Sequence, residues 1–481
     1  MKKGYPLIII LSAIVLVAVI SFLPLERWSG GRIKDFSLVS DLLKETGIIG
    51  HSNPEDEQID PALLEAMEAE KAEKAHLEAP DSVLARPVDS IMRPAVSPRQ
   101  GELVVIEDYT DHNRGLLRLR TSIREGKARI AVVGDSWIEG DIFTQDLRHL
   151  MQEAYGGQGV GYVCMHTDFP GFRRSVKQGG KGWKTFMANK KADRKWLGLS
   201  EQYATPQGEA LSTYAGTGLF KGQTEAWSRS RFLCLAPEGG AVQLKTPAGE
   251  WETRNIAPTD SVVCIELTGN TSDFELRTST ASLVGLGVWL DGPSGVSLDC
   301  MSSRGFSGIT LSHISPSLCR QMSRYIDYSL IVLEFGINAM SATQTNYSVY
   351  SSRMVEVINH VRACYPRADI LVMGVGDRGV KRGGSVVSMA TAPNMISAQR
   401  DAARRAHCLF WDTREAMGGD GAVVEWSQAG HINKDYIHMT HKGGARLAEQ
   451  LFKAISHDLS PASETPAPAE EPRQDTDNQD Q

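Results

Sequence analysis

This 481-residue sequence has no residues arranged for a structural metal. Its seven cysteines, Cys164, Cys234, Cys264, Cys300, Cys319, Cys364 and Cys408, are scattered, with no Cys-x-x-Cys and no His at ligand spacing. An odd number leaves at least one thiol unpaired in an oxidising compartment, and Cys164, Cys234 and Cys264 sit in apolar contexts suited to small buried hydrophobes. An excess of positive charge is also missing. With 51 Lys and Arg against 58 Asp and Glu the net charge is −7, so nothing global points to nucleic acid. The Gly-rich run 156–161 lacks the Gly-Lys-Ser/Thr of a phosphate loop and the helix that would follow it. It reads instead as a turn that lets backbone approach a site.

What is present falls into distinct textures. Tyr5–Leu25 is an uncharged run preceded by Lys2 and Lys3 and followed by Glu26 and Arg27. It is long enough to span a bilayer, with the lysines holding the N-terminus in the cytoplasm. No small-x-small cleavage site closes it, so residues 1–28 read as an uncleaved anchor in preference to a removed signal peptide. Residues 29–102 lose apolar density and are interrupted by Pro80, Pro87, Pro94 and Pro98, which suits a stalk or linker. At the other end, 459–481 is mostly Pro, Ala, Glu, Asp and Gln and reads as a disordered acidic tail. The 41% apolar content leaves room for two compact domains between them.

The chemistry centres on Ile130–Gly140, IAVVGDSWIEG. An apolar β-branched run ending in Gly134-Asp135-Ser136 reads as a buried strand breaking into a tight turn. The apolar face Phe143, Leu147, Leu150, Met151 and Ala154 predicts a helix immediately after it. Ser136 would then stand at a sheet edge near backbone N–H groups able to hold an oxyanion. A serine hydroxyl needs a base, and the base needs an orienting group. Asp435-Tyr436-Ile437-His438, just before the amphipathic segment 441–455, supplies both. His431 and His441 flank that motif, but only His438 follows Asp435 at its spacing. Gly308, after the strand-like Val296–Met301, offers a backbone N–H. Asn338, after the apolar Leu330–Leu333, offers an amide.

Ser136, Gly308, Asn338 and His438, each just beyond a strand and in this order, resemble the four blocks of the SGNH (GDSL-type) hydrolase family. The resemblance implies Ser136 as nucleophile, His438 as general base and then acid, and Asp435 as the orienting carboxylate. It implies an oxyanion hole from the N–H groups of Ser136 and Gly308 and the Asn338 amide, with no metal or organic cofactor. Trp137 stands where the family motif has Leu, and Ala339 where many members have Asp. These departures bear on substrate shape more than on chemistry.

Gly308 lies 172 positions after Ser136, whereas a βα step needs a few tens of residues. Short β-branched segments separated by Gly, Pro, Asn and Asp fill the gap and predict an inserted β-sandwich over 166–295. The insert carries Trp183, Trp196, Trp227, Trp251 and Trp289, either core residues or faces for sugar rings. Its first part, 171–196, holds nine Lys or Arg against Asp193 alone, a solvated loop or a surface for an anionic polymer. After Gly308, helix alternates with strand, which implies a parallel sheet covered on both faces.

The expected fold is therefore α/β: a three-layer, SGNH/flavodoxin-like parallel sheet split into 103–165 and 296–458, with the β-rich insert between them and an N-terminal transmembrane helix. A β-rich insert before the Gly block is similar to bacterial peptidoglycan O-acetylesterases, which carry a carbohydrate-binding-like module inside the catalytic domain. That resemblance implies an acetylated polysaccharide as substrate, with the catalytic part in the periplasm or otherwise outside the cytoplasmic membrane. A polysaccharide O-acetyltransferase, a lipase or thioesterase, and a non-catalytic glycan-binding protein of the envelope remain as alternatives.

Overall fold

The computed structural model describes residues 103–460, apart from Lys191 and Thr246. The expected anchor and linker, and the tail beyond 460, lie outside the described residues. Among those described, no helix is long and apolar enough to cross a membrane.

The chain begins with strand β1 (Glu107–Asp108), helix α1 (Leu117–Arg124), strand β2 (Lys127–Gly134) and helix α2 (Thr144–Tyr155). It then runs through β3 (Gly159–Val163), β4 (Val176–Met187), β5 (Gln202–Gly216), β6 (Trp227–Ala236), β7 (Gly240–Lys245), β8 (Trp251–Ile256), β9 (Thr259–Thr271), β10 (Asp273–Thr278) and β11 (Val284–Asp291). Alternation resumes with β12 (Gly295–Ser302), α3 (Pro316–Met322), β13 (Leu330–Glu334), α4 (Ser348–Cys364) and β14 (Asp369–Met373). A hairpin of β15 (Gly379–Arg382) and β16 (Ser385–Ser388) precedes α5 (Ala392–Arg405) and β17 (Leu409–Trp411). The last helices are α6 (Thr413–Met417), α7 (Ala422–Gln428) and α8 (His441–Leu459), so the segment expected to become a tail at 459 is still helical there.

Six strands form one sheet in the order β1-β17-β14-β13-β2-β12, parallel except for the short β1. Its parallel strands are mostly apolar because both faces are covered. Along β2, Ile130 and Val132 pack with α2 and α8 on one side, while Ala131 and Val133 pack with α3, α4 and α5 on the other. This is the expected three-layer arrangement.

Residues 104–106 stay out of the sheet, whose pairing here involves Glu107 and Asp108 alone, though Val104 and Ile106 are buried. One local expectation fails. The Gly-rich 156–161 is not a turn beside the site but the start of β3, which pairs with β11 in the second sheet. Its glycines do allow a close approach, to β12: a Cβ on Gly161 would stand 2.3 Å from Asp299 Oδ1.

Strands β4–β11 of the insert join β3 in one branched antiparallel sheet of nine strands. It branches because β5 bonds to β4, β10 and β11, and it encloses a core drawn from all nine strands. The period-2 alternation of strands accounts for both of its faces. On β6, Phe232, Cys234 and Ala236 point into that core, whereas Leu233 and Leu235 pack with the α3–α5 layer of the parallel sheet. Of the three cysteines expected to be buried, Cys234 is, while Cys164 and Cys264 are only partly so.

A buried ion cluster joins the two sheets. Asp299 on β12 accepts from Arg129 Nη1 (2.8 Å), the Tyr162 N–H (3.0 Å), Trp289 Nε1 (2.9 Å) and the Tyr328 hydroxyl (2.8 Å). Asp291 on β11 accepts from Arg129, from Arg229 Nε (3.0 Å) and from Arg231 Nη2 (2.6 Å). Burial alone would raise the Asp291 carboxyl, but the three guanidiniums outweigh it and hold it below the usual carboxylate range. Removing one partner from such a cluster leaves a buried charge uncompensated. Arg129→Met is expected to cost about 3–5 kcal/mol, read as a lower urea midpoint; an unchanged midpoint would show that the cluster does not hold the sheets together.

Candidate active site

Strand β2 ends where Gly134 passes under Glu334 at the end of β13. A Cβ on Gly134 would lie 2.6 Å from both the Glu334 carbonyl and its Oε2, so only glycine fits there. Beyond it the Asp135 side chain forms the turn by accepting from the Trp137 N–H (3.0 Å). Ser136 is thereby set at the sheet edge, 6% exposed. The expected helix does not follow at once. A short 3-10 turn at Glu139–Asp141 intervenes and α2 starts only at Thr144, so the environment of Ser136 is the turn rather than a helix N-terminus.

Ser136 Oγ lies 3.0 Å from His438 Nε2. His438 Nδ1 lies 2.8 Å from Asp435 Oδ2. The other carboxylate oxygen, Oδ1, accepts from the N–H groups of Ile437 (2.9 Å) and His438 (3.0 Å). This tight loop needs Tyr436 at φ 60 and is tied across its base by the Ile432–Met439 bridge. Burial would raise the Asp435 carboxyl, yet the bonds from His438 and the two N–H groups hold it below its ordinary value. Asp435 therefore stays ionised and favours the tautomer with the proton on Nδ1, which leaves Nε2 free to accept from Ser136. His431 packs against Trp426 and His441 opens α8; neither bonds to Ser136.

Gly308 caps the 3-10 segment Ile309–His313 at φ 91, and a Cβ there would be 2.8 Å from the Phe335 ring. The N–H groups of Ser136 and Gly308 donate to no protein group among the described residues. Asn338 differs from expectation. Its amide Nδ2 reaches the site but is directed to Asp135 Oδ2 (2.9 Å) and the Phe306 carbonyl (3.0 Å). Two of the three expected oxyanion donors are thus unengaged, and the third must share a hydrogen.

The departures at Trp137 and Ala339 lie in the core, 1% and 0% exposed. Among the tryptophans of the insert, Trp183, Trp227 and Trp289 are buried and offer no face to a sugar. Trp196 and Trp251 are partly exposed, with Lys195 Nζ 4.6 Å from one ring and the Arg277 guanidinium 4.2 Å from the other.

A pair of buried carboxyls, Asp135 and Glu334, adjoins the turn that carries Ser136 and was not singled out in the sequence. The signal was present: Glu334 interrupts an otherwise apolar strand. Burial pushes Asp135 up to about 7 against the lowering effect of the Trp137 N–H, and pushes Glu334 well above the carboxylate range, aided by Asp135.

The chain matches no protein-family model and no curated protein. Among solved structures it is similar to a peptidoglycan O-acetylesterase at 20% identity and TM-score 0.60, over 74% of this chain and 99% of that one. It also aligns with a family two carbohydrate esterase from Cellvibrio japonicus at 9% identity, over 59% and 98% of the two chains, with TM-score 0.24. A family two carbohydrate esterase from Clostridium thermocellum in complex with cellohexaose aligns at 10% identity, over 57% and 99%, with TM-score 0.26. The first likeness extends across both the parallel sheet and the insert, and at the level of the fold the resemblance read from the four sequence blocks holds.

Because both buried carboxyls have raised values in the folded protein, the stability they contribute is complete in acid. It is lost as the pH rises through about 7 for Asp135 and higher for Glu334. Glu334→Gln keeps an acceptor but removes one titration. Between pH 5 and 8 the variant is expected to lose less stability than the wild type, by about 1 kcal/mol per pH unit. Parallel denaturation curves across that range would refute the assignment.

Proposed function

We propose that the protein is a serine esterase that removes O-acetyl groups from a cell-envelope polysaccharide, peptidoglycan above all. The reading is carried by the continuous Ser136–His438–Asp435 hydrogen-bond chain on a fold similar to that of a peptidoglycan O-acetylesterase. Ser136 Oγ attacks the acetyl carbonyl carbon as His438 Nε2 takes its proton. The tetrahedral oxyanion lies against the N–H groups of Ser136 and Gly308, and the Asn338 amide adds a third bond by turning part of its donation from Asp135 or Phe306. His438 then protonates the departing sugar oxygen and leaves acetyl-Ser136. Water attacks this ester with His438 again as base, and acetate leaves as Ser136 regains its proton. Asp435 orients His438 and stabilises the imidazolium throughout. The apolar run Tyr5–Leu25 would hold the enzyme at the membrane, with the catalytic part outside the cytoplasm.

The test is acetate release by the full chain from O-acetylated peptidoglycan and from a small aryl acetate. Both are expected to be hydrolysed, with Ser136→Ala and Asp435→Asn each lowering kcat by roughly 10³-fold or more. Consumption of the aryl ester only when a sugar acceptor is added would replace the esterase with a transferase. Glycan binding without hydrolysis of either ester would leave a binding protein.

A further inference from the structure

We propose that a cationic strip running from the rim of the Ser136 site along β4 binds the carboxylates of an acidic glycan, so that the polymer presented to this site is an acetylated polysaccharide bearing carboxylates. The proposal rests on the esterase reading and narrows its substrate.

The strip begins in the loop before β4, which is fixed rather than free. Arg173 bonds through Nε to Asp141 (3.2 Å) and Ser175 Oγ (2.9 Å), and through its Nη atoms to the carbonyls of Tyr162 (2.7 Å) and Val160 (2.8 Å). With Arg173 turned inward, its neighbours face out. Phe172 lies over Gly140, four residues past Ser136: a Cβ on that glycine would stand 2.6 Å from the ring. Phe172 and Phe169 remain 42% and 70% exposed, so apolar surface flanks the approach. Arg174 is exposed on the same loop. After burial, its charge is the main influence lowering His441, which sits three residues past His438. The loop therefore packs on the turn that follows Ser136.

From there β4 carries the charge outward. Val176 and Gln178 turn inward while Lys177 and Lys181 turn out, with Gly179 between them adding no side chain. Simple alternation would put Lys184 on the buried side. The register shift between Lys181 and Trp183, where residues 207–210 of β5 face Gly182 alone, prevents this: Trp183 takes the inward position and Lys184 rejoins the outer row. The partners of these lysines on β5, Ala215, Leu211 and Thr205, are uncharged. Arg174, Lys177 and Lys181 make no ion pair or side-chain hydrogen bond among the described residues. Arg174 to Lys184 in extended chain spans roughly 30 Å. Beside the start of the row is a groove of about 580 Å³ lined by Arg174, Lys177, Gln178, Thr217 and Leu219, large enough for a sugar unit. Uncompensated cations at strand spacing, leading to a nucleophile past exposed aromatic faces, fit an extended polymer with repeated negative charge. Among the described residues β4 pairs only with β5. Lysines on such an edge strand can also serve merely to block strand addition, and the experiment separates the two roles.

The full chain is assayed on O-acetylated peptidoglycan, on the same polymer with its carboxyls amidated, and on a neutral aryl acetate, and the polymer-to-aryl-acetate ratio of kcat/KM is read. For the wild type the ratio is expected to be about tenfold higher with free carboxyls at low salt, and to fall as salt is added. Arg174→Glu/Lys177→Glu/Lys181→Glu is expected to remove that preference, and the three Gln substitutions to reduce it. Lys453→Glu, exposed about three turns beyond His441 on α8, serves as the charge control and keeps it. Equal losses on the carboxylated and amidated polymers, or no loss, would overturn the proposal. If no ester is hydrolysed, retention on an immobilised polyuronate decides separately: salt-reversible retention lost in the triple variant supports the strip while the esterase reading falls. Equal retention on duplex DNA would refute specificity for a glycan.

Discussion

One carboxylate, Asp299, holds the described structure together. It belongs to β12, the edge of the parallel sheet, yet its donors include Tyr162 and Trp289 of the second sheet as well as Arg129 of β2 and Tyr328. A buried charge is tolerated only when its lone pairs are all engaged, so the donors must converge. That requirement fixes how the insert sits against the sheet carrying Ser136, and with it the position of the loop that borders the site. Close contact at Gly161 is its steric counterpart.

Asp135 plays a similar part on a smaller scale. By accepting from Trp137 N–H and from Asn338 it joins the turn after β2 to the loop after β13, two of the segments that meet at Ser136. Desolvation makes this carboxyl costly to ionise, and Glu334 beside it is costlier still. The Ser136 turn is therefore assembled from groups that would be destabilising elsewhere, and it persists because the parallel pairing of β2 with β13 over-determines it.

The parallel sheet and the three side chains of the Ser136 chain were legible because their signals are local. An apolar run must be buried, Gly-Asp-Ser must turn, and Asp435 and His438 lie three residues apart. The strand assignment at 330–333 needed only hydrophobic pattern. The rest depends on partners distant in sequence. Nothing within 156–161 says that β3 will pair with β11, and the same glycines serve a turn or a close crossing equally well. Likewise, Asn338 carries the same amide whether it faces an oxyanion or is engaged by Asp135 and Phe306, and only the fold decides. The tryptophans of the insert were ambiguous for the same reason: β6 buries both of its faces, so Trp227 is enclosed although the sheet around it is amphipathic in pattern.

The point at which the insert leaves and re-enters has a consequence for biosynthesis. Val296 N–H donates to the Gly156 carbonyl at 2.8 Å, and Gly159 pairs with Asp291, so the excursion is closed at its neck. Strand β2 emerges from the ribosome before this excursion, but both of its neighbours, β12 and β13, emerge after it. At ordinary elongation rates the interval is on the order of 10–30 s. Throughout it a strand apolar on both faces has no sheet to join, which makes the nascent chain a client for chaperones well before Ser136 has any partner to act with.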